Sequence, residues 1–534
     1  MSTSFCLRPL IGRLKGRSIC PRFFSQESCS NQEFMQNRYN ELKALIFDDH
    51  QQICNVNPRG LFAINQINLG EIKVYGFDYD YTLAHYSDDM QTFIYDRATE
   101  ILHKQFHFPK ELLNYKYVPG FCIRGLHYDI QRSLLMKIDA CHVIQLGSVY
   151  RGLTQLSEDE VLSLFKGSRH IPKRIMDESL FGGNSLRQLL DIFSMPEMML
   201  LTNVVEYFVQ NNITYDPQIL FESVQAAVKQ VHVGGHLFQE VYGNVDKYLK
   251  KNSLTHLIDH LTSNGRKLFL ITNSNLQFVN VGMKHLIGKD WRDAFDVIIV
   301  EAKKPGFFQN YKRPFKKIIE SSRNGNNGDN NHTVSWERVH EFTKGNVYYG
   351  GCIQDLMQIS GWSGHEVIYF GDQIYTDLTD PTFTYGWRTG AVIPELEDEI
   401  GIMNSKEFGR SVIWVQTLEK LLERMQLYRD AESRMLLRDW LNERNNFKKH
   451  IKVIFNKRFG SVFRSNLQAS YFSSRMCRIA DIYTSSVCNL AYYNTDHFFF
   501  PFRGTLPHEI VVSLAYLHDG FDLAIERAIQ NRNP

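Results

Sequence analysis

The sequence predicts an α/β protein built on a doubly wound parallel sheet, with a large inserted cap and a helical C-terminal extension. Short apolar segments rich in β-prone residues recur at 71–77, 267–273, 295–301 and 366–372, and a polar residue stands at or near the end of each. The intervals between these strands leave room for the crossover helices that parallel strands require. Because open α/β sheets bind ligands at the carboxyl ends of their strands, we expect the polar ends to converge on one site.

The interval between Asp78 and Thr272 is far too long for a single crossover helix. It predicts an inserted, mainly helical cap, in which 194–212 and 216–232 have helical patterns and Asp216 is a candidate N-cap. Near the C-terminus, 418–451 predicts one long amphipathic helix. The predicted domains are a catalytic core at 55–105 and 255–400, a cap at 106–254, and a helical extension at 401–534 that packs on the core.

The N-terminal segment has the composition of a mitochondrial transit peptide. It contains five basic residues before position 23 and no acidic residue before Glu27. The stretch at 22–25 also resembles a matrix-protease cleavage site after Phe24, so residues 1–24 are predicted to be the transit peptide and the mitochondrial matrix the destination. The alternative is a basic tail on a cytoplasmic protein.

Composition excludes several classes of protein. Lys and Arg total 60 against 58 Asp and Glu, so the net charge of +2 predicts no general attraction to nucleic acid. No uncharged apolar run is long enough for a membrane span. The nine cysteines include no C-x-x-C pair, which argues against a disulfide scaffold or structural zinc. The number of subunits stays open, with a homo-oligomer as one alternative.

Two aspartates follow the first predicted strand in the stretch "VYGFDYDYTLAHY" at 74–86. As a nucleophile on phosphorus, Asp78 would form an acyl phosphate and divide a difficult hydrolysis into two easier steps. Asp80 would protonate the departing oxygen and then deprotonate the water that cleaves the intermediate. Crowding of the two carboxylates favours the protonated state that Asp80 needs at the start.

Such a cluster of acids cannot approach a phosphate dianion without a cation. Oxygen ligands at a phosphate site point to Mg²⁺, and Asp372 and Asp377 in "GDQIYTD" supply carboxylates in addition to Asp78 and Asp80. One acid of this pair would bind the metal directly while the other orients a water molecule or a lysine. The cofactor predicted from these residues is Mg²⁺.

Three further residues offer hydrogen-bond donors or positive charge to a phosphoryl group. Thr272 and Asn273 end the second predicted strand, and Lys304 follows the third. The ammonium group would bridge the nucleophile and the phosphoryl group as charge develops. Lys303 is the competing candidate, and Lys304 is preferred because Pro305 fixes the direction of the chain directly after it.

Each motif alone is weak, since a D-x-D in a loop is more often a solvated turn. Their order along the chain, each at a strand end or in the following loop, resembles the haloacid dehalogenase superfamily. Within it, the sequence resembles the cytosolic purine 5′-nucleotidase family and its mitochondrial 5′-nucleotidase-domain-containing relatives over about residues 59–518. The segments that carry the resemblance are "GFDYDYTLAHY", "IRGLHYD", "FLITNSN", "AKKPGFF", "NVYYGG", "YFGDQIYTDL", "GWRTGAVIPEL", "FGSVFRSN" and "RIADIYTSSVCNLAYY".

The resemblance implies a metal held by Asp78, the backbone carbonyl of Asp80 and Asp372, and a nucleoside monophosphate as the substrate. His232 matches the family's cap pattern, and Phe193 would form an aromatic wall for a base. The sequence departs from the purine nucleotidase where that enzyme grips base and sugar with an arginine, an aspartate and a lysine. These places hold Gln225, Lys229 and Phe238, so the resemblance does not establish purine specificity.

Three functional hypotheses follow. The first is a Mg²⁺-dependent phosphomonoesterase acting on a nucleotide or similar small phosphate, since every catalytic position is filled. The second is a binding or regulatory protein with slow turnover, which the altered cap favours. The third is phosphoryl transfer to an acceptor other than water, which uses the same residues and which the sequence does not separate from hydrolysis.

Overall fold

The computed structural model describes residues 31–47, 55–180, 183, 185–233, 235–310, 312–320, 332–428 and 430–501. The predicted transit peptide, 1–24, and the last part of the predicted extension, 502–534, lie outside the described residues. None of the helices in the described part has the length and apolar character needed to span a bilayer. Two compact units are present: one takes in Arg59–Glu397 and Ser461–Pro501, and the other takes in the described parts of Met1–Pro58 and Asp398–Gly460.

The main sheet of the larger unit confirms the predicted fold class. Among the described residues it has ten strands, and the seven that run consecutively from Ile482–Thr484 to Val347–Gly350 are parallel. The four strands predicted from the sequence are neighbours in the middle of this sheet. The spatial order is Leu61–Ala63, Ile482–Thr484, Arg388–Val392, Val367–Gly371, Val74–Phe77, Lys267–Ile271, Val297–Val300, Val347–Gly350, Phe315–Glu320 and His332–Val334.

The strand Val74–Phe77 is buried along its whole length because strands pair with it on both sides and its two faces are covered. Gly76 is required within it, since a Cβ atom there would overlap the ring of Phe269 on the neighbouring strand. The pairing continues past the strand, where Asp78 N donates to Phe370 O (2.9 Å). Asp78 is therefore held at the carboxyl edge of the sheet.

Helices cover the sheet and supply its crossovers; Leu276–Leu286, for example, connects two adjacent parallel strands. Further strand pairs join Ile67–Asn68 to Phe498–Phe499, His85–Tyr86 to Leu249–Lys250, and Arg464–Ser465 to Gln468–Ala469. The other α-helices of the larger unit are Asp88–Phe106, Glu158–Leu164, Lys173–Leu180, Ser194–Gln210, Pro217–Val233, His236–Gly243, Val245–Tyr248, Leu254–Ser263, Gly306–Gln309, Ile353–Ser360, Thr379–Phe383 and Tyr471–Ile479, and Glu395–Met403 begins in this unit.

The interval between the first two core strands contains both predicted helices, Ser194–Gln210 and Pro217–Val233. Asp216 Oδ1 accepts a hydrogen bond from Ile219 N (2.9 Å), as an N-cap does. The interval also holds a five-stranded antiparallel sheet that the sequence analysis did not identify. Its order is Thr154–Gln155, Ile144–Arg151, Leu134–Ile138, Leu126–Asp129 and Leu186–Leu189. The domain boundaries drawn from the sequence stay predictions.

The prediction of one helix over 418–451 is wrong. The chain forms two helices, Lys406–Met425 and Ala431–Phe455, because Asp430 caps the second with a hydrogen bond from Ser433 N to its Oδ1 (2.7 Å). The break lets the apolar faces of both helices pack against Asn31–Ile46 around Tyr39, Trp414 and Trp440. Tyr39 OH donates to Glu443 Oε2 (2.6 Å) within this smaller unit.

His127 in the inserted sheet makes stability depend on pH. Its side chain is fully buried, both ring nitrogens lack a partner among the described residues, and burial lowers its pKa to about 3. Because the unfolded state binds the proton at about pH 6.5, stability falls as the pH drops from about 6.5 toward about 3, by at most ~1.4 kcal/mol per pH unit.

His127→Met should therefore make the free energy of unfolding less sensitive to acid over that interval, measured by urea unfolding at about pH 7 and about pH 5. His256→Met, at an exposed position, is the control and should keep the wild-type dependence. An unchanged acid dependence in His127→Met would contradict the prediction.

Candidate active site

The carboxyl edge of the main sheet brings together residues that are far apart in the sequence. Asp78, Thr272 and Asp372 each directly follow one of three adjacent parallel strands. Asp377 lies in the turn that follows Asp372. One carboxylate oxygen from each of Asp78, Asp372 and Asp377 lies within 4.8 Å of the other two, and all three side chains are buried.

Lys304 supplies the positive charge at this cluster. Its Nζ lies 2.7 Å from Asp78 Oδ1 and 2.8 Å from Asp377 Oδ1, and it donates to Tyr369 OH (3.2 Å). The lysine side chain is 2% exposed, whereas Lys303 is exposed. Of the two lysines weighed from the sequence, the structure therefore brings Lys304 to the acids.

Asn273 holds the backbone of Lys304 in place. Its Oδ1 accepts from Lys304 N (2.6 Å), and its Nδ2 donates to Lys304 O (3.2 Å). Thr272, also predicted as a phosphate ligand, is fully buried, and its Oγ1 accepts from Ser274 N (3.0 Å). The amide of Asn273 thus connects the second core strand to the loop that carries the ammonium group.

The acids of the cluster have different surroundings. Burial raises the pKa of Asp78 to about 8, although the Lys304 ammonium group opposes this and favours the carboxylate. Burial, followed by the nearby Asp191 and Asp377, raises the pKa of Asp372 well above its usual range. Asp372 Oδ2 is buried and has no hydrogen-bond partner among the described residues. The guanidinium group of Arg124 reaches it only at 4.0 Å. An oxygen-only set of crowded acids, with one oxygen that accepts no hydrogen bond, is the donor set that a divalent cation stabilises.

Asp80 accepts hydrogen bonds from two hydroxyl groups. Its Oδ1 accepts from Tyr86 OH (2.6 Å) and its Oδ2 from Ser274 Oγ (2.6 Å). Burial raises the pKa of Asp80, and the two hydroxyl donors oppose the rise. Sequence reasoning missed Tyr86 and Ser274, although both stand in quoted motifs, because a tyrosine or serine alone does not indicate which acid it will contact.

Arg124 is a second group that the sequence analysis left unassigned. Its side chain is fully buried, and Nη1 donates to the backbone oxygen of Asp372 (3.1 Å). Nε donates to Glu395 Oε1 (3.0 Å), and Nη2 pairs with the other oxygen of the same carboxylate. The bidentate pair fixes the guanidinium group, and through it the loop of Asp372. In the sequence, the one indication of a role for Arg124 was the segment "IRGLHYD", which contains it and carries part of the family resemblance.

Phe193 and His232 line a cavity of about 320 Å³ beside the Asp372 loop, where Gln373 and Thr376 form part of the wall. Their ring centroids lie 5.2 Å apart in an edge-to-face contact. Burial lowers the pKa of His232 to about 4, so its imidazole is neutral near pH 7. The three positions that correspond to the base and sugar contacts of the purine nucleotidase differ in their surroundings. Gln225 and Lys229 line the same cavity, whereas Phe238 packs near Tyr242, with 5.8 Å between ring centroids.

Comparison with known proteins identifies the family. The sequence profile of the 5′ nucleotidase family matches residues 61–511. The chain belongs to this family. Its relatives include 5′-nucleotidase domain-containing protein 2 of Rattus norvegicus, 43% identical over 88% of this chain and 84% of that protein. The same-named protein of Homo sapiens is 44% identical over 86% of each chain. A 5′-nucleotidase domain-containing protein of Dictyostelium discoideum is 37% identical over 86% of this chain and 76% of that protein.

Membership in the 5′ nucleotidase family makes this chain a hydrolase of phosphoric monoesters. It also confirms the resemblance drawn from the ordered motifs. The acid cluster, Lys304 and the adjacent cavity all lie within the matched residues, and within the larger unit of the described structure.

The charge balance at the cluster predicts a large effect of Lys304→Met on stability. Removing the ammonium group leaves Asp78 and Asp377 buried without a counter-charge, which should lower the free energy of unfolding by about 3–5 kcal/mol in metal-free buffer. The matched control is Lys303→Met, one residue earlier and exposed, which should change it by less than about 0.5 kcal/mol. Urea unfolding measures both, and equal losses in the two variants would contradict the assigned pairing.

Proposed function

We propose that this member of the 5′ nucleotidase family is a Mg²⁺-dependent phosphomonoesterase that hydrolyses a nucleoside 5′-monophosphate or similar small phosphate. The observation that carries the proposal is the ion pair between Asp78 and the buried Lys304 at the edge of the sheet, beside two further carboxylates. The arrangement supplies a nucleophile and positive charge at the place where negative charge moves during phosphoryl transfer.

Asp78 would attack the phosphorus atom with one carboxylate oxygen, and the bond to the leaving oxygen breaks. Asp80 gives that oxygen a proton, so the leaving group departs as an alcohol. Asp80 then takes a proton from water, whose oxygen attacks the phosphorus of the aspartyl phosphate and releases inorganic phosphate. Asp78 regains its carboxylate, and Asp80 is protonated again. The separate environments of the two acids support these separate roles.

Asp78 and Asp372 are the residues that would hold Mg²⁺, with Asp377 shared between the site and Lys304. The buried Asp372 Oδ2, which accepts no hydrogen bond among the described residues, is the feature that fits a cation. When bound, Mg²⁺ supplies Lewis-acid neutralisation of the phosphate charge. Lys304 neutralises Asp78 and Asp377, and Asn273 and Arg124 keep Lys304 and the Asp372 loop in position.

The adjacent cavity supports a leaving group of nucleoside size. It is about 320 Å³, and the phenyl ring of Phe193 forms one wall. The proposed site of action is the mitochondrial matrix, on the basis of the basic segment before Glu27. Fusion of residues 1–24 to a fluorescent protein tests the proposed localisation independently of the proposed activity.

Asp78→Asn should abolish turnover. We expect kcat on a panel of nucleoside 5′-monophosphates with Mg²⁺ to fall by about three orders of magnitude or more, because the amide cannot form the acyl phosphate. A chelator should stop the wild-type reaction. Asp259→Asn, at an exposed position, is the control and should keep full activity. Turnover that survives Asp78→Asn would refute the mechanism, and a wild-type protein inactive on the whole panel would favour the binding hypothesis.

Tyr86→Phe removes a hydroxyl donor to Asp80 and keeps the ring that packs against Tyr81 and Phe193. Since Asp80 must protonate an alcohol leaving group, kcat/KM for nucleotides should fall by about 10–100-fold. The loss should be much smaller for p-nitrophenyl phosphate, whose leaving group departs without a proton. Tyr242→Phe, an exposed ring, is the control. Equal losses on both substrates would indicate a structural defect instead.

A further inference from the structure

The cavity beside the Asp372 loop has two facing walls in the inserted region. The helix Pro217–Val233 presents Gln225, Lys229 and His232, which are spaced four and three residues apart and so lie on one face. The start of the helix Ser194–Gln210 presents Phe193 and Glu197. Phe193 and Glu197 are four residues apart, so the carboxyl group lies about one helical turn from the phenyl ring, on the same face.

Glu197 is a partly buried residue of this cavity wall, and one of its two carboxylate oxygens has no hydrogen bond. Its Oε1 is buried without a partner among the described residues, and burial raises its pKa to about 7. Glu206 on the same helix provides the contrast, because its carboxylate accepts from Leu153 N (2.6 Å) and from Gln210 Nε2 (2.7 Å). The fold therefore satisfies both oxygens of Glu206 but leaves one oxygen of Glu197, a residue of the cavity wall, without a partner among the described residues.

Phe193 restricts the shape of that group. Its ring is held by edge-to-face contacts with Tyr81 (4.8 Å between centroids) and His232 (5.2 Å). A fixed aromatic wall favours a planar ring packed against it. The polar edge of a planar ring in that place comes within reach of Glu197, one turn further along the helix.

Positively charged side chains near the cavity favour the ionised form of Glu197. Arg187 lines the same cavity and opposes the rise in the pKa of Glu197, while Asp191 adds to it. Lys229, on the facing wall, is exposed and carries a second positive charge, and His232 is neutral near pH 7 because burial lowers its pKa. Above about pH 8, Glu197 is ionised and acts only as an acceptor.

We propose that Glu197 is a specificity residue that accepts a hydrogen bond from an amino group on the planar ring of the leaving group. The favoured substrates are then phosphate monoesters of nucleosides whose base carries an exocyclic amine. An analogue with hydrogen in place of the amine leaves the partly buried carboxylate without this donor, and it should bind less tightly by about tenfold to about hundredfold. As a statement about turnover, this inference rests on the proposed function; as a statement about binding, it stands alone.

The test is equilibrium binding by titration calorimetry at about pH 8, in the full chain carrying Asp78→Asn to prevent turnover. The ligands are adenosine and purine-riboside 5′-monophosphates, and cytidine and 2-pyrimidinone-riboside 5′-monophosphates. Each pair differs only by the amine. We expect the amine to be preferred by about tenfold or more in at least one pair, and Glu197→Met to reduce that preference to less than about threefold.

Two further variants make the result specific. Glu197→Gln keeps one acceptor and should retain an intermediate preference. Glu222→Met removes an exposed glutamate of the same inserted region and should retain the full preference. Circular dichroism verifies that each variant is folded, and Glu197→Met should fold well because it removes a carboxyl group that has one buried oxygen without a hydrogen bond.

The outcomes separate this inference from the proposed function. Amine preference without Asp78-dependent hydrolysis in the wild-type chain would refute the proposed function and support the inference. Hydrolysis without amine preference, a preference that survives Glu197→Met, or no binding of any of the four ligands would overturn the inference.

Discussion

The ammonium group of Lys304, held between Asp78 and Asp377, is the interaction on which the site depends. Parallel strands bring polar side chains to one edge of the sheet, and here that geometry places several acids in a buried volume where they repel one another. One buried cation compensates two of them. Asn273 fixes the backbone of Lys304 by two hydrogen bonds, so the charge stays at the strand ends rather than in solvent.

The acids differ in their partners, and this separates their chemistry. Asp78 is paired with an ammonium group, Asp80 has two hydroxyl donors, and Asp372 has an oxygen without a hydrogen-bond partner among the described residues. A carboxylate beside a cation suits a nucleophile, one held by hydroxyl groups suits proton transfer, and an unpaired oxygen suits a metal. One sheet edge thus presents three carboxyl groups of the same kind in three different environments. Arg124 links this edge to Glu395 and so stabilises the Asp372 loop.

The core strands could be predicted because buried parallel strands are continuous apolar runs, and their convergence followed from topology alone. The inserted sheet could not. The strand Leu134–Ile138 is buried throughout, including Lys137, so it lacks the alternation that identifies a half-exposed strand. The helix break at Asp430 depends on a cap that competes with a strong helical pattern. The contacts of Arg124 and Tyr86 depend on distances that sequence spacing does not encode.

In the proposed reaction, Asp78 carries the phosphoryl group during turnover. The most direct measurement is acid quenching of the wild-type chain during turnover of a nucleoside 5′-monophosphate with Mg²⁺, followed by mass spectrometric mapping of phosphopeptides. We expect phosphate on the peptide that contains Asp78, at that residue, and no phosphopeptide without Mg²⁺. Rapid phosphate release with no phosphopeptide at any quench time, or with phosphate on a different residue, would contradict it.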